Sequence, residues 1–352
     1  MKVLYSFNKR GFEASYWARE IGAASDRHIT FVPFNHEPFV APARYLRAQQ
    51  LDNLYHERDA GLNRLYEALL QHIEGHRPDV LLVDNCHPYH PEFLRTLDIY
   101  KVLRTSDGPS TAYDRDFAYL HAYDHVLYHS PAYSRDLTMP EKLDYCGAKR
   151  HDFWPLAVFD AFCRPDETEA EVFSGPRDID IIFVGALYPD KMPFLAAIRR
   201  AFGRRFQVHG LANWKRNAYF NVKHLGLRAP TWVTPIDFEN YVPLYRRAKL
   251  GVNAHLRGKY TVGSYRLFDL PANGVMQLSD GSEYLRSFFE PGVEIEGYES
   301  AGEVISKLDD YLSRPADREA IARAGYRRAM ADHRIGKRLR DLRDLLSPAL
   351  HG

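Results

Sequence analysis

The sequence predicts an α/β protein made of two doubly wound parallel-sheet domains. Three observations carry that expectation. Short apolar runs alternate with helical patterns from end to end. Strands separated by helices give a parallel sheet with helices on both faces. The alternation lapses once, between about Phe153 and Asp178, and then restarts. The length, 352 residues, suits two domains of ordinary size.

In the first half, strands are expected at Val3–Phe7, Ile29–Val32, Val80–Asp84, Lys101–Thr105 and Val126–His129, with a shorter one at Asp144–Cys146. Helical patterns run over Phe12–Ala24, Tyr45–Glu74 and Pro91–Leu97. Trp154-Pro155, Arg164-Pro-Asp-Glu-Thr-Glu169 and Ser174-Gly-Pro-Arg177 read as loops and turns. The expected domains are therefore 1–165 and 166–331, followed by a C-terminal helix over 332–352 that packs back on the first domain.

In the second half, Asp180–Gly185, Phe206–Gly210, Leu250–Asn253 and Val275–Ser279 read as strands, and Met192–Phe202 as a helix. Ser300-Ala-Gly-Glu303 is a capping box, and Val304, Leu308, Tyr311 and Leu312 fall on one face of the helix that follows. Pro315 opens another helix through Met330, and the tail from Asp332 to Leu346 is basic and amphipathic. That charge run can be a solvated face or can bind an acidic partner, the solvated face being the commoner case. Two such domains leave a cleft at the carboxyl ends of their strands, where ligands of open α/β sheets bind.

Composition excludes several classes. Hydrophobic residues make up 45% and charged residues 26%, and the net charge is +1. These are values of a globular protein, with no global field to attract nucleic acid. No apolar run reaches the ~18 residues of a membrane span. Met1–Phe7 begins as a strand-like run, not a signal peptide. The three cysteines, Cys86, Cys146 and Cys163, match no zinc or redox spacing and fit a reducing compartment. The expected location is cytoplasmic.

The most informative stretch is Gly263-Ser-Tyr-Arg-Leu-Phe-Asp-Leu-Pro-Ala-Asn-Gly274 with Val-Met-Gln-Leu-Ser279. It reads as a loop, a short helix, a glycine stop and a buried strand. Tyr265, Arg266 and Asp269 stand where the helix begins. Free N–H groups, a guanidinium and a carboxylate there can hold a phosphate and a ribose. The same residues also suit a surface helix with an Arg–Asp pair.

Other strand ends supply partners. Gly185 ends one strand, and Lys191 lies at the next helix entrance, where it can pair with a diphosphate or stand as an exposed lysine. His209 and Gly210 end another, and His209 can equally be a structural histidine. His255, Arg257 and Lys259 follow the Leu250–Asn253 strand, three basic groups at one edge. In the first domain, Asp107 of Asp107-Gly-Pro109 can take a proton from an acceptor hydroxyl, or can cap its turn. His87 or His90 of Asp84-Asn-Cys-His-Pro-Tyr-His90 can be the base instead; their spacing makes a poor metal pair. Asn8-Lys-Arg-Gly11 lacks the dinucleotide fingerprint, and neither a phosphate-loop motif nor a serine-hydrolase elbow occurs.

The combination resembles the GT-B glycosyltransferases, and most closely their CgeB/YkvP-like branch. The residues that carry it are Ile181-Ile-Phe-Val-Gly185, Leu244-Tyr-Arg-Arg-Ala-Lys-Leu-Gly-Val-Asn253, Tyr265-Arg-Leu-Phe-Asp269, Ala272-Asn-Gly274, Phe289-Glu-Pro-Gly-Val-Glu294 and Asp317-Arg-Glu with Ala324-Gly-Tyr326. The resemblance covers about Asp178–His333 well. Over the first half it rests on Asp107-Gly-Pro109 and the strand order. It implies two Rossmann-like domains facing across a cleft, with acceptor in the first and a nucleotide-sugar, a UDP-sugar, in the second.

Asp269 falls where many relatives place a ribose-binding glutamate, and Lys191 where retaining relatives place a phosphate-binding lysine. Two departures stand out. Thr261 occupies the position of the first glutamate of Glu-x7-Glu, and Ala186 that of an arginine five before the lysine. Arg257 or Arg266 can replace that charge. The resemblance implies metal-independent transfer to a glycan, protein or small-molecule acceptor, with no cofactor. A two-domain nucleotide-sugar epimerase and a non-catalytic nucleotide- or sugar-binding protein share the same fold. The sequence leaves oligomeric state and stereochemistry open.

Overall fold

A computed structural model describes residues 1–39, 62–84, 89–105, 117, 119–134, 136–187, 191–210, 233–255, 263–280 and 283–350. The chain divides into two compact units. One is Met1–Leu156 with Ile335–Gly352, and the other is Ala157–Arg334. The division falls earlier than the expected 165.

The first unit holds one parallel sheet of six described strands, ordered β2-β1-β3-β4-β5-β6. They are β1 (Lys2–Phe7), β2 (Thr30–Asn35), β3 (Val80–Asp84), β4 (Tyr100–Thr105), β5 (His125–Tyr128) and β6 (His151–Phe153). Val3 registers with Phe31 on one side and Val80 on the other. Val80-Leu-Leu-Val-Asp84 is buried throughout, as a strand covered on both faces must be. The helices include α1 (Gly11–Ala23), α2 (Leu62–His76), α3 (Pro91–Arg95) and α4 (Met139–Tyr145).

The expected strand at Asp144–Cys146 is corrected, because Asp144 and Tyr145 close α4 and Cys146 caps it. The reason lies upstream. Thr138 accepts from the Glu141 N–H at 3.3 Å, and Glu141 accepts from the Thr138 N–H at 2.8 Å. That reciprocal cap starts a helix, and the sixth strand forms later, at His151–Phe153.

The second unit repeats the plan, with strand order β12-β11-β10-β7-β8-β9. Its strands are β7 (Ile179–Val184), β8 (Phe206–His209), β9 (Val233–Thr234), β10 (Ala248–Asn253), β11 (Met276–Asp280) and β12 (Glu296–Tyr298). All are parallel; Leu250 registers with Ile181 and Met276. The described α-helices are α5 (Glu169–Ser174), α6 (Met192–Phe202), α7 (Tyr241–Arg246), α8 (Arg266–Ala272), α9 (Glu283–Arg286), α10 (Ala301–Ser313) and α11 (Pro315–Asp332). Helix α5 lies inside the stretch read as loop. A second Thr-x-x-Glu box, Thr168 with Glu171, starts it. Ser300 caps α10 by accepting from the Glu303 N–H at 3.1 Å, while Glu303 reaches back to Glu299 N–H.

The unit closes where it opens. The Val158 N–H donates to His333 O at 2.9 Å, and the Arg334 guanidinium forks onto Asp160 at 2.6 and 2.9 Å. After it, α12 (Ile335–Leu350) buries Ile335, Leu339, Leu342 and Leu346 along one stripe. This helix belongs to the first unit and meets α1. Among the described residues, no helix is long and apolar enough to cross a membrane.

Candidate functional site

The carboxyl ends of β7, β8, β10 and β11 gather the polar residues of the second unit. β7 delivers Gly185, with φ +154°. A Cβ there would stand 2.5 Å from Arg266 Nη1 and 2.7 Å from its Cζ. Arg266 therefore lies against the Gly185 backbone, where only a glycine admits it. Gly210, at the end of β8, is constrained as well, since a Cβ would run into Gly185 O. Lys191 is buried and precedes α6. Its Nζ lies 5.9 Å from the Phe183 ring centroid, and the Arg266 guanidinium lies 5.7 Å from the same ring. Gly185, Lys191, Gly210 and Arg266, expected to act together, thus share one strand edge.

The bland alternative for Arg266 and Asp269 is corrected. Helix α8 is no surface helix, because Leu267 through Ala272 are all buried. Asp269 is 4% exposed, and its Oδ1 is buried with no hydrogen-bond partner among the described residues. Burial pushes its carboxyl up to about 8, only partly offset by the Arg266 charge. A buried acceptor without a partner costs free energy. Arg266 Nε is equally buried and has no partner among the described residues. Two orphaned polar atoms one helical turn apart are what a polar ligand would satisfy. Tyr265, just ahead of α8, packs its ring 6.1 Å from Phe159.

His209 sits in the sheet, its Nε2 3.3 Å from Gln207 Oε1, and burial holds its imidazole below the ordinary value. That favours its structural reading. His90 caps α3, its Nδ1 accepting from the Glu92 N–H at 3.1 Å. Asp107, His87 and Arg257, with Lys259 and Thr261, lie outside the described residues.

The sequence reading did not assemble a hydrogen-bonded chain that crosses the same edge. Ser264 Oγ meets Asn253 Oδ1 at 3.2 Å, Asn253 Nδ2 meets Ser279 Oγ at 3.4 Å, and Ser279 Oγ meets Asp280 Oδ1 at 3.3 Å. Asp280 then holds His255 twice, through its main-chain N–H at 3.0 Å and through Nδ1. Burial pushes the Asp280 carboxyl up, but the His255 ring and its hydrogen bonds outweigh that and hold it below the usual carboxylate range. His255 Nε2 is buried with no partner among the described residues. The available signal was polar residues ending otherwise apolar strands, as Asn253, Ser279 and Asp280 do.

The first unit carries its own polar edge. Ser6 Oγ lies 2.9 Å from His36 Nδ1 and 2.6 Å from Tyr89 OH, all buried. Burial alone holds the His36 ring down to about 3, so it is neutral. Arg104 is buried against Asp84 at 3.3 Å and Tyr5 OH at 2.8 Å, with the Trp154 ring 4.7 Å away. Among the described residues no cluster of His, Cys, Asp and Glu could hold a metal ion.

Residues 191–344 match the model of a family described as glycosyl transferase-like. No curated protein sequence matches the chain. Among solved structures the chain is similar to HepE from Anabaena, solved with UDP and glucose, at 13% identity over 99% of this chain and 100% of that one, with a TM-score of 0.62. It is similar to sucrose-phosphate synthase from Thermosynechococcus elongatus at 13% identity, over 99% and 98% of the two chains, with a TM-score of 0.61. A glycosyltransferase from Rickettsia africae is similar at 10% identity over 100% and 99%, with a TM-score of 0.62. The chain therefore has the two Rossmann-like domains of the GT-B fold, and its residues 191–344 are similar to a glycosyl transferase-like family.

Proposed function

We propose that this protein is a glycosyltransferase that moves a sugar from a nucleoside-diphosphate sugar to an acceptor. The observation that carries the proposal is the Arg266 guanidinium laid against Gly185, with Lys191 and the buried Asp269 Oδ1 at the same strand edge. The family match over 191–344 supports it, and so do the UDP and UDP-glucose held by HepE. We take the donor to be a UDP-sugar, the branch to be CgeB/YkvP-like and the location to be cytoplasmic.

In the transfer, the bond from the sugar's anomeric carbon to the diphosphate oxygen breaks, and a bond to the acceptor oxygen forms. Negative charge grows on the leaving diphosphate. Lys191 and Arg266 are the groups we assign to stabilise it, without a bound metal. Asp269 takes the ribose hydroxyls, and His255, oriented by Asp280, adds a hydrogen bond at the same edge. The acceptor hydroxyl loses its proton to Asp107 or His87, the bases we assign to the first unit.

The test is a calorimetric and thermal-shift comparison of UDP, GDP, dTDP and CDP, each with magnesium or with chelator. A ligand at ~100 times its Kd stabilises by about 2.7 kcal/mol. Selective, chelator-insensitive binding of one nucleotide, weakened roughly tenfold or more by Lys191→Ala and by Arg266→Ala, is the expected result. Unchanged nucleotide affinity in both variants overturns the assignment.

A further inference from the structure

The second unit has a cavity of ≈ 260 Å³ at the other edge of its sheet. Arg177, just before β7, and Lys249, the second residue of β10, line it together with Arg318 and Glu319 from the first turns of α11. Phe173 and Gly175 also line it. These are amino-terminal strand ends, so the cavity lies at the opposite end of β7 from Gly185.

Its charge is unbalanced. Glu319 is already forked by Arg323 at 2.6 and 2.8 Å. Lys249 meets Asp180 at 2.6 Å, but Asp180 also serves Arg205 at 2.7 Å. Arg177 gives Nη1 to Ala248 O at 2.6 Å and Nη2 to Asn273 O at 3.1 Å and Val172 O at 3.3 Å. Arg318 gives Nη1 to Tyr311 O at 2.9 Å. Carbonyl dipoles orient these guanidiniums without neutralising them. Among the described residues neither has a carboxylate within ion-pair distance. Burial, then the neighbouring Arg246 charge, holds Arg177 down to about 10, and burial also lowers Arg318.

We propose that this cavity binds a phosphoryl group, either free inorganic phosphate or one carried on a small metabolite. Two fixed guanidiniums and an ammonium around a small cavity suit a compact dianion with several acceptor oxygens. The phosphoryl group would complete the charge balance that the protein leaves open. This site stands apart from the donor reading and does not depend on it.

Two variants test it in the full chain. Arg318→Gln removes one cation while leaving the Arg177 carbonyl contacts alone. Gly175→Glu adds a carboxylate at a residue whose Cβ would meet nothing within 4 Å and whose φ of −78° any residue adopts. Titration calorimetry would use inorganic phosphate and, separately, a hexose 6-phosphate, with UDP titrated into every protein as the control for the other edge. The expected result is binding to the wild type, weakened roughly tenfold or more in both variants, with the UDP response unchanged. Tighter hexose 6-phosphate identifies a metabolite-borne group, and equal affinity a free ion. No binding of either compound, or affinity retained in both variants, overturns the proposal. Loss of the UDP response in the wild type would instead count against the donor reading.

Discussion

Replacing Asp269 by asparagine should stabilise the free protein and weaken its nucleotide site. The carboxyl is buried and pushed up to about 8. An unfolded aspartate ionises near pH 4, so between about pH 4 and 8 the folded state binds a proton that the unfolded state has released. The sign follows directly. A raised carboxyl pKa makes stability fall as pH rises through this window, and the full contribution is present only below about pH 4. The slope is about 1.4 kcal/mol per pH unit. At pH 7 the accumulated cost is on the order of 4 kcal/mol, an upper bound because relaxation and water entry relieve part of it. Asparagine has nearly the same shape and no proton to hold, so Asp269→Asn should recover much of that cost. The chain has two units, so the assay should report on the second alone. Urea unfolding followed by amide exchange of α8 and β11 does this. Wild type and variant compared at one pH share the same intrinsic exchange rates. The variant's advantage should grow steadily from pH 5 to pH 8 and then level off. A difference that stays flat with pH would refute the claim of a protonated buried carboxyl. UDP affinity should move the opposite way, because the amide keeps one acceptor oxygen and puts a donor-only NH2 in place of the other.

Three further outcomes follow from the packing. Gly185→Ala should displace the Arg266 guanidinium, lowering nucleotide affinity and costing about 1–3 kcal/mol in urea unfolding of the second unit; unchanged affinity would mean that this contact is irrelevant to the site. Asp280→Asn should cost about 1–3 kcal/mol at pH 7, because it weakens the hold on His255. Since the Asp280 carboxyl is held low, the wild-type advantage should be present at neutral pH and vanish as acid titrates the folded group, and an advantage that persists in acid would contradict the pairing. Arg104→Ala should cost about 3–5 kcal/mol in the first unit, because it strands buried Asp84, and chemical unfolding measures that directly; a loss below about 1 kcal/mol would show that water replaces the guanidinium.

The sequence alone determined the two-domain α/β plan, most strand cores and the helix that carries Arg266 and Asp269. It did so because a parallel strand covered on both faces must be a short apolar run, and Val80–Asp84 and Ile179–Val184 are such runs. Where local capping outweighed apolar content, the reading failed. The Thr138–Glu141 box turned an expected strand into α4, and Thr168–Glu171 put α5 inside a supposed loop. Residues as far apart as Gly185, Gly210 and Arg266 were legible one by one as strand and helix ends. Only tertiary structure decided that the Arg266 side chain lies on Gly185, that α8 is buried, and that Asp269 Oδ1 has no partner among the described residues. Those facts depend on what surrounds a side chain, and surroundings are set by packing between segments distant in sequence. The same holds for the Ser264–Asn253–Ser279–Asp280–His255 chain and for the cationic cavity, whose members come from separate elements that share a sheet edge only after the strands align.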